Sequence, residues 1–340
     1  MKKVKMFMVL ALAALLSASV ILAGCAKTSD KHFAGIHIIF FNGGPQGCPF
    51  GTVVYNGARD AEKDLGCAVE YIWSDWDPQK MTLQFKEAIS KSPDAICMMG
   101  HPGTEILSPL VDEAIRKNII VTLQNVDIPD IRKKYISKGF GYAGQELYNS
   151  GTMLSKGIVR KYHLGNADKA LVVGPGITEE KQALNERAMR TKGCIDGLEE
   201  GSLTVYALPL PLEVESNPKE SGIDFFKKAL ARYPDIKVII TDHGPVTAAM
   251  PSILKQLGKG PGDIIVGGFD LSVDTVEGII SGYVDLVHDQ QPYLQGYLPI
   301  LQVCLAKKYG FAGLYIDTGV GLIDSSNIEI VSELAKKQIR

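Results

Sequence analysis

The sequence lacks an excess of charge of either sign. Lys plus Arg number 36 against 38 Asp plus Glu, a net of −2. That balance offers no broad basic field, so nucleic acid is excluded as a partner. No pair of the six cysteines has CxxC spacing, which removes zinc-ribbon and thioredoxin-type chemistry. GxSxG and HExxH are both missing, so neither a nucleophile elbow nor a zinc-protease helix is present. Gly258-Lys259-Gly260 lacks the Ser or Thr that completes a phosphate-binding loop. Gly174-Pro175-Gly176 continues as Ile177-Thr178-Glu179, so the third glycine of a dinucleotide fingerprint is missing. Asp75 and Asp77 open like a calcium loop, but its sixth position is Lys80 rather than glycine. No metal, cofactor or enzymatic turnover is therefore expected.

The N-terminus is different from the rest. Lys2, Lys3 and Lys5 precede an apolar run, Met6 to Ala23, broken only by Ser17 and Ser19. A basic start, an apolar stretch and a small-residue exit read as an export signal over residues 1–24. The run is nearly long enough to span a bilayer, so an uncleaved anchor helix is the alternative. Leu22-Ala23-Gly24-Cys25 resembles the lipobox of bacterial lipoproteins, in which the cysteine is lipidated. That resemblance implies a membrane anchor at Cys25 and a polar tether over residues 25–32. Without residues 1–24, three lysines are lost, leaving 33 basic against 38 acidic residues and a net of −5. Cys67, Cys97 and Cys304 lie in apolar stretches and read as buried small hydrophobes. An exported chain can pair two of its cysteines, but their spacing does not say which.

From Ile36 the chain alternates short apolar runs with segments of helical periodicity. Ile36–Phe41, Ala68–Trp73, Ala95–Met99 and Ile119–Leu123 read as strands. Val53–Leu65, Pro78–Ser90 and Glu105–Lys117 read as the helices between them. A helix over 146–162 restarts the rhythm. Strands follow at 169–173, 203–208, 238–241, 263–267 and 284–289, separated by helices over 179–199, 224–233, 245–257 and 273–281. A last helix covers 295–309. Such alternation predicts two α/β lobes, each a doubly wound and mostly parallel sheet. The expected division is 33–142 plus 291–318 for the first lobe and 143–290 plus 319–340 for the second.

Open α/β sheets bind ligands at the carboxyl ends of their strands. Here those positions carry hydrogen-bonding and aromatic side chains: Asn42, Phe50, His101, Gln124, Asn125, Asp242, His243, Asp270 and Gln290. Asp, Asn and Gln match the mixed donors and acceptors of a sugar or polyol, and Arg adds a rigid donor fork. An aromatic face such as Phe50 suits the C–H surface of a sugar. Each residue alone also fits an ordinary turn or cap; the recurrence at successive strand ends is the signal. His101 and His243 are either further contacts or ordinary loop histidines. Trp73 and Trp76 either pack at the lobe rim or touch a ligand or partner.

Over residues 33–320 the chain resembles the type I periplasmic binding proteins, the extracytoplasmic sugar-binding components of ABC importers. Cys48-Pro49-Phe50, Gly57-Ala58 and Leu65-Gly66 match the first loop and helix. Val266-Gly267-Gly268-Phe269-Asp270 matches a strand end, Gln290-Gln291-Pro292 a crossing, and Arg190 with Gly193 a helix. The resemblance implies two lobes joined by a three-crossing hinge that closes over a small uncharged sugar or polyol. It implies a monomer that delivers its ligand to an ABC permease, or presents its closed form to a membrane sensor. By residue, it implies that Asp270 accepts from two hydroxyls, Arg190 donates, Gln290 contacts the ligand at the hinge and Phe50 stacks. Gln124-Asn125 and Asp242-His243 depart from the family's Asp-Arg and Asn-Asp pairs. Cys48 replaces an asparagine and Gly51 a second aromatic. These departures leave a smaller sugar, a linear polyol or a sugar-like signal molecule equally open. Transcription repressors share the core but begin with a helix-turn-helix, where this chain has its export segment.

Overall fold

The computed structural model describes residues 31–340. The export signal and the anchor at Cys25 lie outside the described residues, as does most of the tether. Two six-stranded sheets form the molecule. The first has the order β11-β5-β4-β3-β1-β2, and the second β12-β10-β9-β8-β6-β7. In the first, β1 is His37–Phe41, β2 Ala68–Ile72, β3 Ala95–Met99, β4 Ile120–Gln124, β5 Tyr142–Gly144 and β11 Tyr315–Asp317. In the second, β6 is Lys169–Gly174, β7 Thr204–Pro209, β8 Ile236–Thr241, β9 Ile265–Phe269, β10 Leu286–Asp289 and β12 Gly321–Ile323. The two strand orders match, although the sequences do not; both sheets are mostly parallel and differ at the edge, where β11 runs parallel to β5 and β12 antiparallel to β10.

Helices cover both faces of each sheet, which is why the central strands are continuous apolar runs. Within β1, Ile39 and Phe41 enter one buried cluster and Ile38 and Phe40 the other. Leu171 and Val173 against Ala170 and Val172 divide β6 in the same way. The chain crosses between lobes after β5, after β10 and between β11 and β12.

Three sequence expectations are corrected. β5 runs to Gly144, so the first crossing follows 144 rather than 142; it is only three residues long, too short to show periodicity. The helix expected over 179–199 begins ten residues later, at Met189. Asn185 is the reason: its side chain accepts from the Ala188 amide at 3.0 Å and starts a short 3-10 turn, Glu186–Ala188. Finally, short helices at Pro129–Tyr135, Leu212–Ser216 and Ile328–Lys336 were not anticipated.

Candidate functional site

A cavity of about 230 Å³ lies between the lobes, and every loop that lines it follows a strand's carboxyl end. Seven of the residues singled out in the sequence line it: Phe50, His101, Asn125, Arg190, His243, Asp270 and Gln290. Their distribution is asymmetric. The first lobe contributes an aromatic wall. Phe50 and Trp76 are 5.8 Å apart between ring centres, and Trp76 and His101 are 5.6 Å apart. The second lobe contributes Arg187, Arg190, Glu215, His243 and Asp270.

Trp76 was left open by sequence. Its backbone is left-handed, at φ 58°, as are those of Asn125 at 62° and Asp270 at 69°. This conformation is uncommon outside glycine, and most unusual for a residue as bulky as Trp. Trp76 is held in it by its amide, which donates to the Gly43 carbonyl at 3.0 Å. The aromatic missing at Gly51 is thus supplied from the loop after β2. Trp73 instead packs against Tyr55. Asp77 caps the helix Pro78–Ser90 and Asp75 pairs with Lys80 at 2.5 Å, which accounts for both carboxylates of the incomplete calcium pattern.

Three expected contacts do not line the cavity. Asn42 and Gln124 are buried at strand ends, where their amides donate to the Ile72 and Phe41 carbonyls. Asp242 is fully buried beneath the two arginines. Arg187 donates to its carboxylate at 2.9 and 3.2 Å and to its carbonyl at 3.0 Å; Arg190 Nε and Thr191 Oγ1 each donate at 2.5 Å. Burial opposes ionisation of Asp242, yet Arg187 and Arg190 outweigh it and hold the carboxyl below its ordinary range. Asp242 therefore positions the two arginines, a charge-assisted network of high directional strength. Arg190 also lies over the Phe269 ring at 4.0 Å. Its helix sits close against Leu147–Tyr162, because Gly151 and Gly193 leave backbone on backbone where a Cβ would not fit.

At the crossing, Gln290 connects the lobes. Its amide donates to Asp270 at 2.5 Å, and its carbonyl oxygen accepts from Gln145 at 2.8 Å and Asn125 at 3.3 Å. Burial raises the pKa of Asp270, although Arg190 and Gln290 pull it down. Burial also raises Glu215, against the pull of Arg187. Burial and Arg187 push His101 down to about 3 and His243 to about 4, so both rings are neutral near pH 7. Their Nδ1 atoms are buried and carry no protein partner. Arg187, Glu215, Asn185 and Trp76 are the polar and aromatic lining residues that sequence reasoning did not select. Arg187 lies within the segment read as continuous helix, where nothing local marked it.

A family model for the periplasmic binding protein domain matches residues 39–308. The chain is 28% identical over 295 residues to the xylose/arabinose-binding protein XylF of Sulfolobus acidocaldarius, covering 83% of this chain and 69% of that one. Among solved structures, a carbohydrate transporter protein from Acidothermus cellulolyticus 11B, in complex with myo-inositol, superposes with a TM-score of 0.73 at 19% identity. That match covers 90% of this chain and 99% of the other. An ABC transporter solute-binding protein from Burkholderia graminis C4D1M, in complex with D-arabinose, also gives 0.73 at 18% identity, over 87% and 97%. At such identities the two structures establish a shared fold.

Proposed function

The chain belongs to the family of periplasmic binding protein domains, and from that premise we propose that it captures a small uncharged sugar or polyol between its lobes. The observation that carries this reading is the division of the cavity into an aromatic wall and a hydrogen-bonding wall. A sugar has the same two-sidedness. Its C–H face packs on Trp76 and Phe50, and its hydroxyls meet Arg187, Arg190, Asp270 and the hinge amides Asn125 and Gln290. Ligands with the names xylose, arabinose and myo-inositol accompany the relatives above, which supports the same ligand class here.

Closure follows from differential contact. A ligand that bonds to both lobes stabilises the closed state and is released when the three crossings reopen. The closed shape is the form delivered to an ABC permease. Export and a lipid on Cys25 hold the binding lobes, as a monomer, at a membrane surface outside the cytoplasm; the lipobox-like Leu22-Ala23-Gly24-Cys25 supports the anchor. Titration calorimetry with D-xylose, D-arabinose and myo-inositol tests the reading. Micromolar binding, about −8 kcal/mol, is expected for at least one, with unchanged ligand recovered. No binding across pentoses, hexoses and polyols overturns it, as does turnover of any of them.

A further inference from the structure

The described residues include five cysteines, 48, 67, 97, 194 and 304, all unbonded. Sequence spacing left their pairing open, but the fold brings two of them together. Cys67 follows the left-handed Gly66 that ends the helix Pro49–Leu65. Cys304 lies within the helix Pro292–Tyr309. These helices run side by side in the same direction. Tyr293 donates to Asp60 at 2.8 Å and Tyr297 to Asp64 at 3.3 Å, one turn further along each helix. Gly57 under Tyr293 and Gly296 under Val54 have no space for a Cβ, so the backbones approach closely. This alignment carries Cys304 to the end of the first helix. There it shares one buried cluster with Cys67, close enough that Cys304 draws the Cys67 thiol below its ordinary pKa while its own is raised.

We propose that Cys67 and Cys304 are a disulfide-forming pair that staples the helix Pro292–Tyr309 to the first lobe when the exported protein is oxidised. The proposal rests on the extracytoplasmic location above, since disulfides persist in oxidising compartments. The helix Pro292–Tyr309 is the segment that returns from the hinge, so the bond closes a loop containing five of the six strands of the second sheet, β6 to β10.

The oxidant is a small disulfide such as oxidised glutathione. Cys67 is 6% exposed and Cys304 is not exposed at all, so Cys67 is the entry thiol. Its thiolate attacks one sulfur of the oxidant; that S–S bond breaks and one glutathione thiolate leaves. Cys304 then loses its proton and attacks the Cys67 sulfur of the mixed disulfide, expelling the second glutathione. Two protein thiols lose two electrons and two protons, and one disulfide becomes two thiols. The nearness of Cys304 lowers the Cys67 thiol from its ordinary value, which favours this order.

The test is alkylation and mass mapping of the exported chain, incubated with oxidised glutathione and unfolded without reductant. A cross-linked peptide pair carrying Cys67 and Cys304 is expected, with Cys48, Cys97 and Cys194 alkylated. Reduction should lower the thermal midpoint by roughly 5–10 °C. Cys67→Ser and Cys304→Ser should each abolish the reductant-dependent shift. Alkylation of all five, or a bond from Cys97 to either partner, overturns the proposal. Because the mapping uses the unsubstituted chain, a variant that fails to fold does not spoil it. Because it needs no sugar, its failure leaves the binding reading intact, and a protein without sugar affinity can still show the bond.

Discussion

The carboxylate of Glu186, in the second lobe, accepts from both the backbone amide and the hydroxyl of Thr104 in the first, at 3.3 and 3.0 Å. Thr104 opens the helix Thr104–Arg116, whose N-cap is Gly103 and has no side chain to satisfy the first amides. The cap is thus supplied across the cleft, and only while the lobes are together. Glu186 immediately precedes Arg187, so one segment both lines the cavity and bridges the two lobes.

Glu186→Ala should therefore weaken sugar binding without removing any ligand contact. One partly exposed, charge-assisted bond pair stabilises by about 1 kcal/mol, a loss of roughly fivefold in affinity. Calorimetry on the variant checks this, and small-angle scattering should show a smaller closed fraction at equal sugar concentration. Unchanged affinity would mean that the contact contributes nothing to closure.

Asp270→Ala and Asp242→Ala should part company. Asp270 lines the cavity, so its loss should abolish sugar-induced thermal stabilisation while the ligand-free protein melts at or near its original temperature. Asp242 lies beneath Arg187 and Arg190, and its loss leaves the buried Arg190 and the partly buried Arg187 without their carboxylate partner. Breaking such an arrangement destabilises by about 3–5 kcal/mol. Urea unfolding of the two ligand-free variants distinguishes them; equal stability would remove the positioning role of Asp242.

Trp76→Ala should reduce sugar affinity about tenfold or more, since Trp76 is the central ring between Phe50 and His101. Trp76→Phe should recover most of it. If both variants bind as the original does, the aromatic wall is not a ligand surface.

His288 sets a pH dependence. It is fully buried on β10, with Nε2 donating to the Gly319 carbonyl at 2.8 Å. Burial lowers its pKa from 6.5 to about 4. Between those values the unfolded chain binds the proton and the folded chain does not. The histidine's contribution to stability is therefore lost as pH falls from 6.5 toward 4. Asp270, Asp289 and Glu215, all raised by burial, act in the opposite sense. His288→Asn isolates the term: the slope of unfolding free energy between pH 4.5 and 6 should drop by up to about 1.4 kcal/mol per unit. Identical slopes in the two proteins would exclude the effect.

Much of this was legible in the residues themselves. Apolar runs such as Ile36–Phe41, set between helical segments, read as covered strands, and a parallel sheet puts all their carboxyl ends on one edge. Six of the nine side chains selected at strand ends line the cavity for that reason, and Arg190, selected by resemblance, joins them. Gly66 ended its helix as its position indicated, with φ at 78°. What periodicity does not encode is the direction of a side chain at a strand end, or its neighbour from distant sequence. Asp242 and Asp270 occupy equivalent positions after β8 and β9, yet one turns under the arginines and the other into the cleft. Trp76 reaches the cavity through a left-handed backbone that no residue pattern announced. The contacts Glu186 with Thr104 and Cys67 with Cys304 join residues 82 and 237 positions apart. Sequence by itself determined the alternating elements and the edge where a ligand site belongs. The tertiary structure decided which groups meet there, because those meetings depend on how lobes and helices pack rather than on local chain chemistry.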